Sequence, residues 1–338
     1  MMTIEEIESA CNALSSQQLD SIEHPGEEPK LQLKEVFYLH GFPVEVITNS
    51  PEVFEIASEQ WGMFEKEHST EPVRIYVHVT EGGTTECPPP PKYRFNWPLI
   101  LTFANEDNFM IADLEHNCTH IAVTSGAMRH KLFVGSLFLA AAPGPHLSVR
   151  HITPVHGACV ALDGRGVMLC GDSGAGKSTL SYACARAGWT YVCDDASFLL
   201  NSGTDRTVIG ACHQVRFRPT AAELFPELQG QDITPRLVGK PSIELPTAFF
   251  PKMVCAQSAR VDFLVFLNRR AGGPPELRPY RKDVARHALR QTLYGTPHSL
   301  AVSYSTIERL LTIDVLELLY TDLDWAIDRL RTLVREGR

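Results

Sequence analysis

Hydrophobic and polar positions alternate in two short runs near the start of the chain, 35–39 and 44–48. They predict two strands on either side of a Gly41-Phe42-Pro43 turn. Asn49-Ser50-Pro51-Glu52 reads as a helix start, with Ser50 as N-cap and Pro51 at the first helical position; Val53, Ile56, Ala57 and Trp61 follow at helical spacing. Residues 73–79 alternate as a half-buried strand should. Residues 81–91 hold Gly82-Gly83 and four consecutive prolines, which predict a loop or rigid linker. Strand-like runs return near 99–103, 109–112 and 120–123, so residues 33–128 read as a small α+β domain with no motif that carries a mechanism.

Residues 129–142 suit a buried helix, and the pattern then changes. A strand at 156–162, a tight turn at Asp163-Gly164-Arg165-Gly166 and a strand at 167–170 lead into a glycine-rich loop. A helix is expected from about Ser178 to Ala187, ended by Gly188, and then a strand at 189–193 that runs into Asp194-Asp195. Further strands are expected near 196–200, 212–218 and 261–267, and helices near 220–228, 282–292, 306–310 and 322–335. Residues 129–338 are read as a second domain.

Composition narrows the class. The chain has 338 residues, 44% hydrophobic and 21% charged, which is globular and more than one average core supports. The longest nearly apolar run, 132–143, is shorter than the roughly 18–20 residues of a membrane span, and the first residues lack the basic and apolar regions of a secretory signal. No membrane partner is expected. Thirty-one Lys and Arg against 40 Asp and Glu leave a net charge of −9. Seven acids and one base within residues 1–30 carry −6 of it, so residues 1–32 read as an acidic, loosely ordered leader and the body is nearly balanced. That balance argues against nucleic acid as a partner. Nine cysteines without a CxxC pair argue against a disulfide framework or zinc site and for a cytoplasmic location.

The chemistry concentrates in Gly171-Asp172-Ser173-Gly174-Ala175-Gly176-Lys177-Ser178, which fits the phosphate-loop pattern G-x-x-x-x-G-K-[ST]. Glycines let the backbone curl so that successive N–H groups face phosphate oxygens, and the following helix points its positive end at the same anion. Lys177 would neutralise the β- and γ-phosphates of ATP, and the Ser178 hydroxyl would be a ligand of Mg²⁺; Thr179 continues the loop. Asp194-Asp195 follows Lys177 by 17 and 18 residues, the length of one helix, one turn and one strand, which should return both carboxylates to the phosphate end. Read alone, the aspartates also suit a turn or a helix N-cap, and His156, 21 residues before Lys177, also suits a structural role.

Taken together, His156-Gly157, the loop 171–178 and Asp194-Asp195, with these intervals, resemble the catalytic domain of the HPr kinase/phosphorylase family, mainly over 130–200. The resemblance implies a mixed-sheet P-loop fold like that of phosphoenolpyruvate carboxykinase and transfer of the γ-phosphoryl group of ATP to a protein serine. It also implies Asp194 as the base for the serine hydroxyl, Asp195 near the metal and His156 close to the transferring group. The chain departs from that family at Thr179, where a glutamate is typical, and it lacks the glycine-rich signature of the type E-I-R-G-L-G after the aspartates. These departures point to a relative with a different acceptor.

In place of that signature stand His213-Gln214-Val215-Arg216-Phe217-Arg218 and Val238-Gly239-Lys240. Phosphoryl transfer needs cations on the γ-phosphate oxygens, and Arg216, Arg218 and Lys240 are candidates, although solvated arginines and a loop lysine explain them equally. Seven bases and two acids at 269–290 suit either a docking face for an acidic partner or a solvated helix face. The expected activity is a kinase with a hydroxyl acceptor, a serine of a protein or peptide or else a small metabolite. A P-loop ATPase and a nucleotide-binding regulator stay open, as does a homo-oligomeric state.

Overall fold

The structure, a computed structural model, describes residues 31–234, 240–270, 272–293 and 295–337. Residues 1–30 of the expected acidic leader lie outside these, as do Val238 and Gly239 beside Lys240. The chain divides between Val149 and Arg150.

In the first unit, β1 (Leu33–Leu39) and β2 (Phe42–Thr48) pair antiparallel around His40-Gly41, both at positive φ, as a two-residue hairpin requires. Pro43 therefore lies in β2 and not in the turn. In α1 (Glu52–Trp61), Val53, Ile56, Ala57 and Trp61 form the buried stripe that their spacing predicts. Ser50 is not the N-cap: Pro51 occupies that position, and Ser50 accepts the Val53 N–H through its carbonyl at 3.3 Å. The remaining strands are β3 (Val73–Thr80), β4 (Lys92–Asn96), β5 (Leu99–Asn105), β6 (Asn108–Asp113) and β7 (Cys118–Thr124). They form a mixed sheet in the order β1-β2-β3-β7-β6-β5-β4, parallel only at β2–β3 and β3–β7. The edge strand β4 is exposed along its whole length, so no buried face marks it in the hydrophobic pattern.

The helical run that the sequence reading gives to the second domain belongs to the first unit. It comprises α2 (Ser125–Met128), α3 (Lys131–Val134), a π-helical turn (Gly135–Leu139) and α4 (Pro143–Arg150). It seats on α1, where a Cβ at Gly135 would come within 3.0 Å of Ile56 and where Lys131 pairs with Glu55 at 2.9 Å. By length and composition Lys131–Arg150 is apolar enough to cross a membrane, and 56% of its most apolar window is buried in the protein.

The second unit begins with the hairpin of β8 (Ile152–Leu162) and β9 (Arg165–Cys170). Next come α5 (Lys177–Arg186), β10 (Thr190–Cys193), β11 (Ala196–Leu200), β12 (Thr207–Gly210), β13 (Gln214–Phe217) and β14 (Ile243–Pro246). The chain continues through β15 (Val254–Cys255), β16 (Ser258–Arg269), β17 (Glu276–Pro279), α6 (Lys282–Arg290), α7 (Pro297–Leu310), β18 (Asp314–Tyr320) and α8 (Leu323–Glu336). The helix expected near 220–228 is instead two 3₁₀ turns, Pro219–Glu223 and Pro226–Leu228, because Pro226 cannot continue a helix.

Nine of these strands form a mixed sheet, whose central strands β9 and β16 are buried on both faces while the edge strands β15 and β17 are exposed. Along β9, Val167 and Leu169 join one core with Leu180 of α5 and Leu330 of α8, while Met168 and Cys170 join another with Leu289 of α6 and Ile307 of α7. β9, β16 and β18 run parallel side by side, and β10, antiparallel to β8, runs in the same sense as β9. Four strands therefore deliver their carboxyl ends to one edge, where ligands of open α/β sheets gather.

Candidate functional site

Each strand end at that edge supplies a chemically active residue. β9 runs into the glycine loop, β10 into Asp194-Asp195, β16 ends at Arg269 and β18 at Tyr320. β8 adds His156 by changing partner: its first half, to His156, pairs with β11, and from Gly157 onward it pairs with β9. His156 stands in register with Ala196, and its Nδ1 lies 3.3 Å from the Asp195 carboxylate.

The glycines of the loop are required by geometry. Gly171, Gly174 and Gly176 have φ of 144°, 91° and 98°. A Cβ on Gly176 would also stand 2.6 Å from the Tyr320 hydroxyl, which donates to the Ala175 carbonyl at 3.3 Å and supports the loop from below. The first turn of α5 has no side-chain cap, so its N–H groups face the cavity without a side-chain competitor.

Lys177 is buried and folds back along the loop, its Nζ donating to the carbonyls of Gly171 at 2.8 Å and Asp172 at 3.2 Å. Burial lowers its pKa, against the pull of the nearby Asp195 carboxylate. Ser178 Oγ donates to the Asp194 backbone carbonyl at 3.4 Å, which ties the helix start to the end of β10. The two aspartates differ in environment. Asp195 is about half exposed, whereas Asp194 is buried and its Oδ2 accepts the Arg216 N–H at 3.0 Å. Burial, with a smaller push from Asp195, raises the Asp194 carboxyl to about 6 despite that hydrogen bond. The adjacent Asp195 carboxylate is thus the lesser cause.

These side chains line one cavity of about 500 Å³. Ser173, Gly174, Gly176, Lys177, Ser178 and Thr179 form one wall, and His156, Asp194 and Asp195 another. Arg216, Arg218 and Lys240 complete it, with Arg216 held by an ion pair to Glu244 at 3.4 Å across the β13–β14 ribbon. Gly171, Asp172 and Ala175 do not line this cavity; they border a second one behind the loop.

Sequence reasoning missed Arg269 and Ser242, which also line the first cavity. Arg269 was legible only as a member of the basic run 269–290. The rest of that run is largely committed within the fold: Arg278 pairs with Glu317, Arg281 with Asp283, and both Arg286 and Arg290 with Glu308. Lys282 donates to the Leu311 carbonyl. A docking face for an acidic partner therefore loses most of its free charge.

Ser178 and Asp195 are hard oxygen donors on the same cavity, as Mg²⁺ prefers. Among the described residues no three His, Cys, Asp or Glu side chains form a metal cage, and a Mg²⁺ held by one or two protein oxygens plus phosphates needs none.

No family model matches the chain, and no curated protein matches it in sequence. Among solved structures, the HPr(Ser) kinase/phosphatase from Coxiella burnetii aligns with 18% identity over 55% of this chain and 96% of that one, at a TM-score of 0.32.

Proposed function

We propose that the second unit is an ATP-dependent phosphotransferase that moves the γ-phosphoryl group to a hydroxyl. One observation carries the reading: the loop lysine and serine, a buried carboxyl tuned to about 6 and several cations line a single cavity. In this reading the triphosphate lies along the loop, with Lys177 and the uncapped N–H groups of α5 on its oxygens. Arg216, Arg218 and Lys240 stand opposite as further partners for the γ-phosphate. Ser178 and Asp195 would hold Mg²⁺, which supplies charge neutralisation when bound.

The acceptor oxygen attacks the γ-phosphorus as the bond to the β–γ bridging oxygen breaks. Its proton passes to the Asp194 carboxylate, and ADP leaves. His156, paired with Asp195, stands beside the transferring group as a positioning residue. The acceptor is a serine of a protein or peptide, as the family resemblance implies, or a small hydroxylated molecule.

The test is transfer of label from γ-labelled ATP in a lysate of the source cells, with wild type against Lys177→Ala. Wild type should label an acceptor, and Lys177→Ala should reduce that labelling by at least about a hundredfold. Release of free phosphate with no labelled acceptor would make the protein an ATPase and defeat the proposal.

A further inference from the structure

The second cavity, of about 630 Å³, opens behind the glycine loop on the other face of the sheet. Gly171, Asp172 and Ala175 form its loop side, while Phe266, Ala288 and Leu289 close it from the α6 side. His156, Ser173 and Arg269 line both cavities, so the two walls meet at the loop.

The chemistry of the two is opposite. The first carries Lys177, Arg216, Arg218, Lys240 and Arg269, as a polyanion requires. The second has Arg269 as its lysine or arginine among the lining residues, set against the carboxylates of Asp172 and Glu317. Glu317 is already satisfied, accepting from Asn268 at 2.8 Å and from Arg278 at 2.7 Å and 2.8 Å. Tyr280 stacks on Phe266 with ring centroids 4.7 Å apart. Burial and the neighbouring carboxylates keep the Tyr280 hydroxyl protonated, so it can donate. Asn268 donates to Glu317, the Gln291 amide lies 2.9 Å from His287 Nε2 and the Thr292 hydroxyl donates to the Leu289 carbonyl, which leaves the Asn268 and Gln291 amide oxygens and the Thr292 oxygen to accept from a ligand. An aromatic wall with planar amides and carboxylates suits a neutral, polyhydroxylated molecule and disfavours a phosphate. The volume falls in the range of small-ligand sites.

We propose that this cavity holds the body of the phosphoryl acceptor, a small neutral polyol, with its reacting hydroxyl at the junction formed by His156, Ser173 and Arg269. The inference rests on the phosphotransferase reading and narrows it. The products are the polyol phosphate and ADP, and the hydroxyl proton goes to Asp194.

The experiment offers γ-labelled Mg-ATP with glucose, myo-inositol and glycerol in turn, and with a serine-containing peptide as the competing acceptor class. ATP binding is measured separately on wild type and Lys177→Ala. Label should enter at least one of the polyols. Tyr280→Ala, and independently Gln291→Ala at an exposed position, should raise its KM by about tenfold while ATP affinity stays unchanged. The inference is overturned if the peptide alone is labelled, if no polyol is labelled, or if both variants leave the polyol KM unchanged. Wild type that binds ATP and labels no polyol defeats this inference alone. Wild type that binds no ATP defeats the phosphotransferase reading and the acceptor site with it.

Discussion

Asp194 is buried where Asp195 beside it is half exposed, and that difference makes one of them sensitive to pH near neutrality. The Asp194 carboxyl rises from 3.8 to about 6 on folding. Between those values the folded chain keeps a proton that the unfolded chain has lost, so stability falls as pH rises through the window. Below 3.8 nothing is lost; above 6 the full cost of roughly 3 kcal/mol is present. Asp194→Asn should therefore raise the free energy of unfolding by up to that amount well above pH 6 and by almost nothing below 3.8, as denaturant titrations at both ends would read. An equal gain at both ends would contradict the raised value. The same substitution should cost about 10²–10⁴ in phosphoryl transfer. Wild-type turnover should rise with pH through about 6, and the variant should lack that limb.

At the scale of elements, the loop between β9 and α5 depends on its support by Tyr320. Gly176→Ala meets both an unfavourable φ and the Tyr320 hydroxyl, and should lower stability by about 1–3 kcal/mol and weaken ATP binding in calorimetry. Adding Tyr320→Phe removes the contacting oxygen and should recover part of the affinity; no recovery would place the whole cost in the backbone. The sequence made α1, β9, α5 and β10 legible because each carries its own signal: a helical stripe in α1, an apolar run that closes on Gly171 in β9, and for α5 and β10 the boundaries set by the glycine loop, Gly188 and the aspartate pair. β18 went unread because Asp314-Val-Leu-Glu-Leu-Leu-Tyr320 has neither strict alternation nor a glycine, proline or asparagine at its ends, and only pairing with β16 and β17 makes it a strand. The lost helix at 220–228 shows the reverse, a helical composition interrupted by Pro226.

For the molecule as a whole, the site is coupled to the core of the second unit. Leu330 of α8 is fully buried in the core that also holds Leu180 of α5, so Leu330→Ala should cost about 2–5 kcal/mol in chemical denaturation. Mg-ATP at a hundredfold excess over its Kd should return about 2.7 kcal/mol, seen as slower amide exchange in β9 and β16. No such protection would mean that the nucleotide does not engage this unit.

Local order along the chain determined the loop, its lysine and serine, and the carboxylates one helix and one strand later, because short-range spacing on a strand–loop–helix unit dictates where those groups return. Sequence alone could not decide which strands lie beside β9, that β16 would bring Arg269 to the same edge, that Asp194 would be buried and Asp195 exposed, or that a second cavity would open behind the loop. Those outcomes depend on pairings between segments as far apart as Cys170 and Phe266, and on which faces of the sheet the helices cover. Long-range packing sets burial, and burial sets the charge state and chemistry of each side chain at the site.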